Sequence, residues 1–114
     1  MQESTTALDQ YPDYIFIDDD KTLCKAWKLK ADFSSKTVLC FNTVKEFETI
    51  MASIPHTTPI YIDSNLGNDE PGEYASKKLY DAGFHTIFLA TGKHGMDIIK
   101  PDWIQAVVGK SPPF

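Results

Sequence analysis

Several acidic side chains stand where apolar runs give way to turn residues. Tyr14-Ile15-Phe16-Ile17 ends in Asp18, Asp19 and Asp20, and Pro59-Ile60-Tyr61-Ile62 ends in Asp63. This is the pattern of buried parallel strands delivering carboxylates to the rim of a sheet. Side by side, two such strands gather negative charges that repel one another unless a cation joins them. Oxygen-only donors suit a hard divalent ion of the magnesium type. Asp19, Asp63 and the backbone carbonyl of Asn65 would serve as ligands, with Asp18 beside them and water or phosphate oxygens completing the shell. Mg2+ there would neutralise charge on an incoming phosphoryl group, leaving the Asp63 carboxylate able to attack it. Two further run ends add to the set. Thr91 offers a hydroxyl donor, with Gly92 leaving room for approach, and Lys110 offers a point charge for Asp63 and then for a phosphoryl oxygen.

The elements that must position these residues follow from the patterning. Strands are expected at Tyr14 to Asp18, Thr37 to Phe41, Pro59 to Asp63, His85 to Ala90 and Ala106 to Gly109. Asp20 can cap a helix whose inward residues are Leu23, Ala26, Trp27 and Ala31. Thr43 can cap a second helix presenting Val44, Phe47, Ile50, Met51 and Ile54 on one face. A loop over Ser64 to Pro71 leads to a third helix from about Gly72, with Ala75, Leu79 and Ala82 inward and Gly83 as its stop. A short fourth helix is expected over Gly95 to Ile99. Alternating strands and helices imply an α/β fold: a doubly wound, five-stranded parallel sheet with ligands at the strand carboxyl ends.

Composition narrows the classes. The chain has 114 residues, 42% of them hydrophobic, which fits one domain (residues 14–114) after a loose lead-in (residues 1–13). No apolar run approaches the roughly 20 residues needed to span a bilayer, and the first residues lack the regions of a signal peptide. The formal net charge is −5, without a Lys/Arg stripe, so neither nucleic acid nor anionic membrane is an expected partner. Lys25, Lys28 and Lys30 read as the wet face of a helix. Cys24 and Cys40 can pair, but reduced buried thiols in a cytoplasmic protein are the expectation. His56, His85 and His94 lack metal-ligand spacing. The Pro112-Pro113-Phe114 end carries no assigned role.

Asp18-Asp19, Asp63, Thr91-Gly92 and Lys110 together resemble the signature of the receiver domain of two-component response regulators, over Tyr14 to Pro112. Phe16-Ile17-Asp18-Asp19-Asp20-Lys21-Thr22-Leu23 is similar to that family's opening, and Asp63-Ser64-Asn65-Leu66-Gly67 with Gly72 to its third loop. The resemblance implies a flavodoxin-like fold with Mg2+ as cofactor. It also implies that Asp63 takes a phosphoryl group from a histidine kinase or histidine phosphotransfer protein. Asn65 and Lys93 would tune the dephosphorylation rate. The chain would be free-standing or the carboxyl-terminal receiver of a hybrid histidine kinase, catalysing only its own phosphorylation and dephosphorylation.

Three features depart from the family pattern. Lys110 is followed by Ser111 rather than Pro, Val107 stands where an aromatic switch residue is common, and the family's fifth helix is missing. The last departure would uncover apolar side chains worth about 6–12 kcal/mol in total. That predicts a homodimer, or docking of another domain or of the lead-in (Leu8, Tyr11), through the face beside the first helix. Two other readings share these residues. One is an unphosphorylated docking module. The other is a haloacid-dehalogenase-type phosphatase, with Asp18 as nucleophile and Asp20 as acid.

Overall fold

In the computed structural model, residues 11–66, 70–92 and 99–114 are described. Five strands form one parallel sheet: β1 (Tyr14–Ile17), β2 (Val38–Phe41), β3 (Ile60–Asp63), β6 (Ile87–Ala90) and β7 (Ala106–Val108). Their spatial order is β2-β1-β3-β6-β7. The order turns around between β1 and β3, so a crevice opens at the carboxyl ends of those two strands. Asp18 follows β1 directly, and Asp63 closes β3 in register with Ala90. The five-stranded parallel sheet expected from the patterning is present, in the flavodoxin-like order that the resemblance implies.

Strand alternation divides the core. Ile15, Ile17, Ile60, Ile62, Ile87 and Leu89 face one side, where α3 (Gly72–Asp81) supplies Ala75 and Leu79 and α2 (Val44–Glu48) supplies Val44 and Phe47. Phe16, Tyr61 and Ala90 face the other, beneath α1 (Lys21–Phe33). There Trp27 stacks on Phe16, with ring centroids 3.9 Å apart. Fully burying a side chain of that kind contributes on the order of 3 kcal/mol. The inward residues of α1 are Cys24, Trp27 and Ala31, and Ala26 is exposed, so the buried stripe is rotated from the expected one. Asp20 caps this helix as expected, its Oδ1 accepting from the amides of Thr22 and Leu23.

The second helix is shorter than its pattern suggested. It has a capping box between Thr43 and Glu46 but ends at Glu48, and Met51–Ser53 forms a separate 3-10 turn. The Thr49 hydroxyl donates to the Glu46 carbonyl at 2.7 Å, a local bond that competes with helix continuation. The expected loop after Asp63 is also more ordered than a loop. Asn65–Leu66 (β4) pairs antiparallel with Glu70–Pro71 (β5). At the end of α3, Gly83 takes a positive φ of 115°, the stop anticipated for it.

The fourth helix expected over Gly95 to Ile99 lies outside the described residues apart from Ile99, and so does residues 1–10 of the lead-in. Asp13 is tied to the edge strand: its Oδ2 accepts from the Thr37 amide at 2.9 Å. The residues after β7 form no helix. The C-terminal end is not idle, however. Phe114 packs on Tyr14 with ring centroids 5.0 Å apart and meets the edge of Trp27 at 5.7 Å. Tyr14, Tyr61 and Phe88 form an aromatic row on this face, Tyr61 stacking on Phe88 at 4.6 Å.

Gly72 fixes the crevice from the α3 side. Its amide donates to the Ser64 carbonyl at 3.1 Å, and a Cβ at this position would overlap the Asp63 carbonyl oxygen. Replacing a helical glycine by alanine ordinarily stabilises by up to about 1 kcal/mol. Here the sign reverses, because the obstructing atom is backbone. Gly72→Ala is expected to destabilise by about 2–3 kcal/mol in urea unfolding. Gly92→Ala, with open space around it, serves as a near-neutral reference.

Candidate functional site

The site is built from the ends of four parallel strands. β1 hands over to Asp18, which is completely buried, and its amide donates to the Phe41 carbonyl at the end of β2. Asp19 follows on the exposed side, and Asp63 sits nearly buried at the end of β3. Oxygens of these three carboxylates all lie within 4.8 Å of one another. Thr91 follows β6, buried, with its amide bonded to the Val108 carbonyl; Gly92 beside it is exposed. Lys110, two residues beyond β7, reaches back into the crevice. Its ammonium lies 2.9 Å from Asp18 Oδ2 and 2.9 Å from Asp63 Oδ1.

The structure therefore brings Asp18, Asp19, Asp63 and Lys110 into one cluster, with Thr91 just past the end of the strand that pairs with β3. Asn65 opens β4 two residues beyond Asp63. Lys93 and His94 lie outside the described residues. Lys110 was expected to pair with Asp63; that it bridges to Asp18 as well was not anticipated. It does so although Pro does not follow it and the described peptide bonds are all trans. Val107, at the position of the common aromatic, is half-buried in β7 and packs against the core.

Three supporting residues escaped sequence reasoning. Asn42 Nδ2 donates to the Asp18 carbonyl at 2.8 Å, and the Cys24 thiol lies 3.5 Å from the same oxygen. The Trp27 indole N–H donates to the Lys110 carbonyl at 3.0 Å. The only available signal was for Asn42, a polar residue one step past a strand end. Trp27 read as core, and it is core; its polar tip does the second job.

Asp20, by contrast, was a candidate acid in the phosphatase reading. Its Oδ1 is held by two amides of α1, and that helix begins at Lys21 with no intervening flap. Asp18 has Oδ1 on the Asp20 amide and Oδ2 on Lys110, and it has no solvent exposure. Neither residue is presented for attack on a substrate.

Three carboxylates this close repel one another, and the Lys110 ammonium bridges two of them. Two unit charges about 4 Å apart interact by roughly 4 kcal/mol at an effective dielectric constant near 20. Clustered carboxylates suit a divalent cation, and the donors are hard oxygens, so the cluster fits Mg2+. Burial pushes the Asp18 carboxyl above its ordinary value of 3.8, despite the Asp20 amide and Lys110, which act in the other direction. Burial alone would lower the Lys110 ammonium. Its hydrogen bonds to Asp18 and Asp63 and the charges of both outweigh this and hold it above 10.5.

The signs set a pH profile. Lys110 contributes stability below 10.5 that is lost as pH rises through its raised value. The folded protein binds a proton at Asp18 more tightly than the unfolded chain, so Asp18 favours folding more as pH falls toward 3.8. Removing Lys110 strands a buried carboxylate, so Lys110→Met is expected to cost about 3 kcal/mol near neutral pH. That deficit should shrink on acidification, as Asp18 protonates, and again in strong alkali. Urea melts of both proteins across pH check this; a pH-independent difference would contradict the electrostatic account.

No family model matches the chain, and no curated protein matches it. Solved structures do match. One is the N-terminal domain of a response regulator/sensory box/GGDEF three-domain protein from Carboxydothermus hydrogenoformans. It superposes with a TM-score of 0.69 at 16% identity, over 86% of this chain and 81% of that one. Another is the signal receiver domain of a protein described as a Luxo repressor, from Vibrio parahaemolyticus. Its TM-score is 0.66 at 18% identity, over 92% of this chain and 81% of that one. Strand order, the crevice at β1 and β3 and these superpositions converge: the chain has the fold of response-regulator receiver domains.

Proposed function

We propose that this protein is a phosphoacceptor receiver domain in a two-component phosphorelay, with Asp63 as the residue phosphorylated. The observation that carries the reading is the Lys110 ammonium lying 2.9 Å from both Asp18 and Asp63, with Asp19 in the same crevice. A buried carboxylate at a strand end, facing an ammonium and two further acids, is arranged for charge transfer at one point. The donor would be a phosphohistidine on a histidine kinase or histidine phosphotransfer protein, met in the cytoplasm. No helix among the described residues is long and apolar enough to cross a membrane.

In this reading Asp18, Asp19 and Asp63, with the Asn65 carbonyl, hold Mg2+. When bound, the ion neutralises phosphoryl-oxygen charge and lowers the barrier to attack by an anion. An Asp63 oxygen forms the new bond to phosphorus, and the donor imidazole leaves with its electron pair. Lys110 exchanges its contact with Asp63 for one with a phosphoryl oxygen. Thr91 donates its hydroxyl to another, and Gly92 leaves the space the group enters. The added charge at Asp63 biases the chain toward a second arrangement of the β6 and β7 surface. Hydrolysis returns it, at a rate that Asn65 and Lys93 tune; no external substrate is turned over.

The test is phosphorylation by phosphoramidate with magnesium, followed by borohydride trapping. Label is expected at Asp63, none in Asp63→Asn, and at least tenfold less in Lys110→Ala, which lacks the counter-charge. Label at Asp18 would point to the phosphatase reading. No label with any donor or with a panel of phosphorylated kinases would leave a docking module.

A further inference from the structure

Behind the acidic crevice, on the other side of the β1–α1 junction, the two cysteines face each other. Cys24 lies on the inner stripe of α1 and is buried. Cys40 lies on β2, an edge strand, in register with Phe16, and is half-buried. Both are free thiols. The Cys40 thiol donates to the Cys24 carbonyl at 3.6 Å, which sets the two side chains side by side, close enough to shift each other's titration. A groove of about 210 Å³ runs to solvent past them, lined by Lys21, Cys24, Lys25, Lys28, Cys40 and Asn42. It is basic, and both cysteines line it.

From this juxtaposition we propose that Cys24 and Cys40 form a reversible dithiol–disulfide site reacting with hydrogen peroxide. Cys40 is the thiol attacked first and Cys24 the one that resolves it. Three observations separate the roles. Cys40 is the more exposed sulfur. The neighbouring Cys24 side chain draws the Cys40 thiol below its ordinary value, against its burial, and Lys28 adds to the effect. Electropositive, partly open surroundings of this kind favour the reactive thiolate. Cys24, by contrast, is buried, and Asn42 Nδ2 lies 3.7 Å from its sulfur.

The chemistry balances with peroxide as the sole oxidant. The Cys40 thiolate attacks one peroxide oxygen, the O–O bond breaks, and hydroxide leaves to become water, so that Cys40 becomes a sulfenic acid. The Cys24 sulfur then attacks the Cys40 sulfur. The S–S bond forms, the S–O bond breaks, and the departing oxygen leaves as a second water with the Cys24 proton. Two thiols lose two electrons to one peroxide, and a dithiol reductant reverses the process. Oxidation also removes the Cys24 S–H that faces the Asp18 carbonyl, leaving Asn42 to hold that oxygen.

The site is tested on the full reduced chain with graded hydrogen peroxide, read by intact mass and peptide mapping. The expected product has lost two hydrogens, carries one peptide linking Cys24 to Cys40, and returns to the starting mass with dithiothreitol. Cys24→Ser should stop at a Cys40 sulfenic acid captured by dimedone, whereas Cys40→Ser should stay reduced at the same exposure. Lys28→Ala, at an exposed position, should slow the reaction severalfold. Equal oxidation of the two single variants would overturn the proposal. So would links only between chains, or thiols that react only after denaturation.

Discussion

The Lys110 ammonium, spanning Asp18 and Asp63, is the contact on which the crevice depends. The fold requires two strands whose carboxyl ends both carry acid, and it buries one of those acids completely. Taking a carboxylate out of water costs several kcal/mol unless an opposite charge comes with it. Lys110 arrives from the far end of the chain, 92 residues from Asp18 in sequence, and joins the first strand to the last. The same bond that makes the site electrically tolerable thus also closes the sheet's carboxyl edge. Asp19, on the exposed side, adds a third carboxylate within 4.8 Å of the other two.

Much of this is legible in the amino-acid sequence. Five apolar runs became five strands, because buried parallel strands need near-continuous hydrophobicity and acid or turn residues mark their ends. Asp18, Asp19, Asp63, Thr91 and Lys110 could be placed because residues at strand ends converge once the order of strands is known. The helices were harder. In α2 the periodicity of Ile50, Met51 and Ile54 continued past Glu48, but Thr49 offered the backbone a competing partner. In α1 Cys24 is buried and Ala26 exposed, because Trp27 and Ala31 belong to both possible stripes and spacing alone does not choose between them.

What escaped was tertiary in origin. Neither Asn42 on the Asp18 carbonyl nor Trp27 on the Lys110 carbonyl has a local sequence signature, because each bond joins elements distant along the chain. The two-residue pairing of β4 and β5 is too short for any pattern. Asp20 shows the reverse difficulty: its type and position fitted two roles, a helix cap and a catalytic acid. Only its bonds to Thr22 and Leu23 distinguish them.

Phe114 and Trp27 bring the farthest residue of the chain into contact with the loop that carries Lys110. One residue thus has its side chain in the acidic crevice and its carbonyl clasped by an indole on the opposite face. The chain has only one other tryptophan, Trp103, whose N–H is bonded to Ser76. Emission from Trp27 is therefore a native optical gauge of that loop, readable without attaching a dye.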